Sequence, residues 1–225
     1  MEKAPKILIV AAWPPELGRI RGVLRTAPYR KWRGQIELQA VGVGLVEAAI
    51  GTTAALTRRK PQLLILVGTA GAFPTATLDI AKAAIVSRVT LGSPEKENVA
   101  QIPTPMPREV STSVRFSASL AKSSTLETAT VVCPLAITRS SRRAKELSKV
   151  SGAELENLEV FAIAQAAQRA KVPFVAVLGV ANIVGPKGAK QWLDHGEAAA
   201  ANACHAIATW LRDERVWKGL LERRQ

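Results

Sequence analysis

The chain has 225 residues and a mass of 24.0 kDa, enough for one domain with a sizeable core. Its 48% hydrophobic and 22% charged residues exclude a disordered or fibrous chain, and the longest apolar stretches, 63–73 and 172–185, are too short and too broken by glycine to span a membrane. The net charge is +13, but the basic residues are spread along the chain (Arg19, Arg58, Arg142, Arg223) and the 4% of aromatics are not interleaved with them. The basic balance therefore reads as a solvated surface compatible with small anions, and nucleic acid is not expected as a partner.

In chain order, strand-like and helix-like segments alternate. Residues 6–12 form a short apolar run typical of a buried strand. Pro14 and Pro15 suit a first helical turn, after which Leu17, Ile20 and Leu24 recur on one face. Residues 35–41 alternate like a half-buried strand and lead through Gly42-Val-Gly44 into an alanine-rich helix at 45–57. Residues 63–67 predict a buried strand closed by a Gly68-Thr69-Ala70-Gly71 turn. Strands at 83–89 and 128–133 and helices at 111–122, 140–150 and 158–170 follow. The last strand is expected at 173–180 and the last long helix at 196–212. Residues 92–107, rich in proline, read as a loop, and 213–225 as a charged, exposed helical tail beyond a domain spanning 1–212. This rhythm predicts a single-domain α/β fold with a central mixed sheet.

Several motifs can be weighed chemically. Gly42-Val-Gly44 fails as a dinucleotide fingerprint, because Glu47 stands at the third glycine position and would repel a pyrophosphate. No P-loop sequence occurs. Gly68, Thr69, Ala70 and Gly71 at a strand end allow a ligand to approach the backbone closely, or simply form a tight turn. Glu16 is a candidate general base or a helix-dipole complement. Glu154, Glu156 and Glu159 suit the start of the helix at 158–170, but Glu159 borders a buried stretch and needs a partner there. Asn182 follows the last strand. His195 and His205 have no metal spacing, and Cys133 and Cys204 neither pair nor suggest zinc, so no metal, no cofactor and a cytoplasmic location are expected.

Taken in order, these pieces resemble the purine nucleoside phosphorylase and nucleosidase superfamily over nearly the whole chain. Ala11-Ala-Trp13-Pro-Pro-Glu16 is similar to the family's strand-end segment closing on a catalytic Glu. Val41-Gly-Val-Gly44-Leu-Val-Glu-Ala-Ala49 resembles its glycine turn and helix, and Gly68-Thr69-Ala70-Gly71 its glycine-serine-alanine-glycine segment. Glu156-Asn157-Leu158-Glu159 resembles the methionine-glutamate pair that opens a helix and holds ribose. Pro173-Phe174 begins a strand ending where the family has a catalytic Asp or Asn. Glu156-Asn157-Leu158-Glu159, together with Asn182-Ile-Val-Gly-Pro-Lys187 and a later Trp192, is most similar to the futalosine hydrolase branch, which serves menaquinone biosynthesis.

The resemblance implies a three-layer α/β/α fold, a purine nucleoside substrate and a homodimer or larger assembly. It implies hydrolysis of an N-glycosidic bond, most readily futalosine to hypoxanthine and dehypoxanthine futalosine. Glu16 and Asn182 would be catalytic. Trp13, Gly68, Thr69, Ala70, Gly71, Asn157, Leu158 and Glu159 would bind substrate, Glu159 on the ribose and Trp13 near the 5′ substituent. The neutral Asn182 amide suits the N7/O6 edge of a 6-oxopurine, where an adenine leaving group calls for an acid. Val160, Ala181, Leu158 and Lys187 depart from the family's Gly, Ser, Met and Arg. The alternatives are a phosphorylase, a methylthioadenosine/S-adenosylhomocysteine nucleosidase, and a non-catalytic nucleotide- or nucleic-acid-binding protein. A phosphorylase would need a phosphate site, for which Arg58 and Arg88 are nearest in sequence.

Overall fold

The structure is a computed structural model that describes residues 7–32, 34–92 and 103–221. β1 (Ile7–Ala11) lies parallel between β2 (Ile36–Ala40) and β3 (Leu63–Ala72), and β3 is bonded along its length to parallel β8 (Phe174–Ile183). β8 also pairs antiparallel with β4 (Ala83–Leu91), which carries β5 (Glu109–Ser111) and parallel β6 (Thr128–Cys133). The two-residue strand β7 (Leu155–Glu156) joins β6 back to the far end of β3. The path β3–β8–β4–β6–β7–β3 therefore closes on itself, with β1–β2 and β5 as extensions. This is the mixed-sheet, three-layer architecture that the sequence predicts.

Alternate residues of each strand feed cores on opposite faces, as the period of two requires. Leu8, Val10, Leu64 and Leu66 pack with α2 (Gly44–Arg59) and α5 (Val160–Arg169). Ile7, Ile9, Leu63 and Ile65 pack with α1 (Gly18–Val23), α3 (Val114–Ser124) and α6 (Gly188–Leu211). A smaller cluster of Phe73, Val132 and Leu147 seats α4 (Ser141–Ser151). α6 lies so close to β8 that a Cβ on Gly179 would fall 2.0 Å from the Ala199 carbonyl oxygen, so only glycine permits this approach.

Four differences from the sequence reading have physical causes. Gly68 to Gly71 continue β3 as strand, because β8 ladders all four and β7 adds a partner to Gly71 on the other side. Asn182 lies within β8 for the same reason. α6 begins at Gly188, eight residues early, despite the Gly185-Pro-Lys-Gly188 punctuation. α7 (Glu214–Leu221) buries Val216, Trp217 and Leu220, so this end is amphipathic and packed, with Trp217 stacked on Trp32 at 3.9 Å between centroids. The expected loop at 92–107 lies partly outside the described residues, at 93–102.

Candidate active site

β1 ends in Trp13 and a single 3-10 turn, Pro14–Leu17. Prolines at the first two positions cost nothing there, because those N–H groups have no intrahelical acceptor. The turn throws Glu16 back over the C-terminal end of the sheet. Its Oε2 accepts from the Trp13 N–H at 3.2 Å, and its Oε1 from the Thr69 N–H at 3.0 Å and the Thr69 hydroxyl at 3.1 Å. The same hydroxyl accepts from the Trp192 indole N–H of α6 at 3.1 Å, giving a relay from Trp192 through Thr69 to Glu16. Burial pushes the Glu16 carboxyl above its ordinary range. The Trp13 and Thr69 donors oppose that rise, and the Glu159 charge adds to it.

Glu159 stands at the N-cap of α5 and is 6% exposed. Its Oε1 accepts from the Gly44 N–H, the first of α2, at 2.8 Å, which places the carboxylate at the positive end of that helix. Burial raises this carboxyl too, against the Gly44 donor. Asn157 fixes the corner that presents it. Its Oδ1 accepts from the Glu159 and Val160 N–H groups at 2.9 and 2.8 Å, and its Nδ2 donates to the Thr69 carbonyl at 3.0 Å. Asn157 thus positions Glu159 and ties α5 to β3.

Gly71 pairs with Glu156 of β7 on one side and Asn182 of β8 on the other, so these three share one face across three strands. A Cβ on Gly71 would meet Asn182 Nδ2 at 2.8 Å and Val184 Cγ2 at 2.9 Å; the bare glycine makes room for the amide. Glu156 is 7% exposed, with Oε1 accepting from the Thr138 N–H at 3.1 Å and Oε2 without a hydrogen-bond partner among the described residues. Burial raises its carboxyl, countered by Thr138.

A cavity of about 580 Å3 joins these groups, a size suited to a small-molecule ligand. Glu16, Gly68, Thr69, Ala70, Gly71, Glu156, Asn157, Leu158, Glu159 and Asn182 line it, and so does Trp13 at its mouth. Every residue singled out for the site from sequence reaches it. Glu156 was visible only as a helix-end charge or part of a motif, and Val43, Ile137, Gly188 and Leu193 gave no signal. Val160 is fully buried in the core behind the site. Among the described residues no Lys or Arg lines the cavity: Arg58 bonds Gln39 and Arg88 pairs with Glu109. Nor do the described residues contain a cluster of three His, Cys, Asp or Glu that suits a metal. Cys204 donates to the Glu16 carbonyl at 3.3 Å, and burial pushes its thiol up to about 11. Past Trp13 and Trp192, whose rings sit 5.9 Å apart, a second cavity of about 720 Å3 adjoins, with Arg19 and His205 on its walls.

Carboxylates and an amide at the carboxyl ends of the strands of an α/β sheet, around an otherwise apolar hollow, define a small-molecule site of enzymatic type. The sequence matches the phosphorylase superfamily profile over residues 6–212, and the chain belongs to that family. A curated relative, the 5′-methylthioadenosine/S-adenosylhomocysteine nucleosidase of Psychromonas ingrahamii, is 28% identical over 181 residues, covering 75% of this chain and 77% of its own. Two solved structures share the fold. The nucleosidase of the same description from Neisseria meningitidis, bound to methylthio-immucillin-A, aligns with a TM-score of 0.80 at 18% identity, covering 92% of this chain and 98% of that one. Futalosine hydrolase of Helicobacter pylori aligns with a TM-score of 0.83 at 14% identity, covering 92% and 97%. No helix among the described residues is long and apolar enough to cross a membrane.

Proposed function

We propose that this protein is a purine nucleosidase that hydrolyses the N-glycosidic bond of a 5′-modified nucleoside, with futalosine the leading substrate. The observation that carries the reading is the pair of carboxylates, half-buried Glu16 and buried Glu159, each held by backbone donors on the wall of one cavity that also contains Asn182. Water attacks C1′ as the C1′–N9 electron pair withdraws into the purine, through an oxocarbenium-like transition state. Glu16 orients the water and takes its proton. Glu159 accepts from the ribose hydroxyls and stabilises the positive charge growing on the ring. The Asn182 amide bonds the N7/O6 edge of the departing 6-oxopurine. The absence of Lys and Arg among the described lining residues favours water over phosphate as the nucleophile.

The adjoining cavity gives an anionic 5′ substituent somewhere to go, with Arg19 the cation it meets. The likeness to the Psychromonas nucleosidase supports a second reading, in which the substrate is methylthioadenosine or S-adenosylhomocysteine. The experiment is base release from futalosine, inosine, adenosine and methylthioadenosine, with and without phosphate. Phosphate-independent release of hypoxanthine from futalosine is expected, and an Arg19→Ala variant should raise the KM for futalosine while leaving that for inosine unchanged. Adenine release from methylthioadenosine alone would favour the second reading, and no release from any substrate would favour a binding protein.

A further inference from the structure

Three donors hold the Glu16 carboxyl, and two of them have a single possible sense. The Trp13 and Thr69 N–H groups cannot accept, so each requires a lone pair on the oxygen it faces. The Thr69 hydroxyl is different, because it can donate to Glu16 or turn and accept from it. What meets its oxygen from the other side decides between the two. There α6 places Trp192, whose indole N–H donates to Thr69 Oγ1 at 3.1 Å and has no capacity to accept. A hydroxyl that accepts one bond is polarised to donate the next. The Trp192 N–H therefore aims the Thr69 proton at Glu16 Oε1, and all three contacts then call for the carboxylate.

The indole is held on three sides. Gln191, its neighbour on α6, accepts from the Ile183 N–H of β8 at 3.0 Å and pins the start of the helix. Gly196, one turn further on, lies under the ring, where a Cβ would come within 3.4 Å of Trp192 Cε2. The Trp13 ring stands 5.9 Å away at the cavity mouth. Glu16, Thr69 and Trp192 line both cavities, so this chain of bonds runs along the partition between them. Burial and the Glu159 charge work against ionisation of Glu16, and a donor that cannot reverse offsets part of that cost.

We propose that Trp192 is a positioning residue for Glu16: its indole N–H fixes the sense of the Thr69 hydroxyl and, through it, the place and charge of the carboxylate. This rests on the reading of Glu16 as the group that takes a proton from water.

Trp192→Phe provides the test, because it keeps a ring in the cavity wall and removes only the donor. The acid limb of kcat/KM should move to higher pH by roughly half to one unit, as a carboxylate that loses a donor ionises less readily. On the plateau kcat should fall roughly tenfold, and KM should change less. The other ionisable groups around Glu16 are Glu156 and Glu159 on the cavity wall, Cys204 on α6, and Arg19, Glu197 and His205 on the adjoining cavity. All are retained in the variant, so the shift belongs to the relay. In a Thr69→Val background the same substitution should move the acid limb no further; an equal movement there overturns the proposal. So does an unmoved acid limb in a Trp192→Phe variant of wild-type melting temperature. If that variant does not fold, NMR of protein carrying Trp13→Phe decides, since Trp192 is then the one indole among the described cavity residues. Its N–H resonance should titrate with Glu16 and cease to do so when Glu16→Gln is added; a resonance indifferent to Glu16 overturns the relay. Base release by the wild type separates the two claims. Turnover with an unmoved acid limb removes the role of Trp192 alone. With no turnover of any nucleoside the reading of Glu16 as a base falls, and the indole titration by itself upholds or overturns the relay.

Discussion

Burial raises the Glu16 carboxyl by penalising its charged form, while the Trp13 and Thr69 donors hold it ready as a carboxylate. A general base must be ionised to act, so kcat/KM should fall on the acid side at a pH above the ordinary Glu value of 4.5, measured as an acid limb in the pH–rate profile. Glu16→Gln removes the base and should cost roughly a hundred- to ten-thousandfold in kcat. The same variant should melt higher than wild type near neutral pH. Because the folded-state pKa is raised, the stability Glu16 contributes is present below the unfolded value and lost as pH rises through the folded one. The difference in melting temperature should therefore vanish near pH 4. Asn182→Asp should move activity toward methylthioadenosine, since an acid can deliver the proton that an adenine leaving group needs; base release resolves this directly.

The start of α5 depends on one side chain. Asn157→Ala strips the acceptor from two N–H groups and the donor from the Thr69 carbonyl. It should destabilise the protein by about 1–2 kcal/mol in urea unfolding, with a larger loss of activity as Glu159 loses its fixed position. Part of this could be read from sequence: Glu159 borders an apolar run where a charge needs a partner, whereas Glu16, behind Pro14 and Pro15, is singled out only by the family resemblance of its segment. The rest was hidden at the scale of elements. β7 is two residues long, too short for any period to emerge, so Glu156 merged with its neighbours Glu154 and Glu159 as one helix-end cluster. Gly68 and Gly71 signal a turn when seen alone, and only the ladders to β7 and β8 make them strand. The first turns of α6 were masked by Gly185 and Pro186, although Gln191 there ties the helix to the Ile183 N–H of β8 at 3.0 Å.

For the whole molecule, the apolar residues left outside are informative. Val43, Val46 and Ile50 form an exposed stripe on α2, and Val43 continues into the cavity rim, where Ile137, Leu193 and Trp13 are also exposed. A contiguous apolar rim of this kind is what a second copy of the chain would cover. The protein should accordingly scatter light as a dimer of twice 24.0 kDa, and paired Val46→Glu and Ile50→Glu substitutions should yield a monomer with lower kcat/KM. The closed circuit of β3, β8, β4, β6 and β7 has a separate consequence, for how the site moves. Gly71, Glu156 and Asn182 lie on strands with no free edge between them, so their amides should exchange with deuterium only when the whole protein unfolds, whereas the Thr69 amide, bonded to Glu16, should follow that side chain. Glu16 rides on a single 3-10 turn outside that circuit and should exchange by local opening. The strand-borne half of the cavity wall should therefore stay fixed while the turn bearing Glu16 opens and closes beside it.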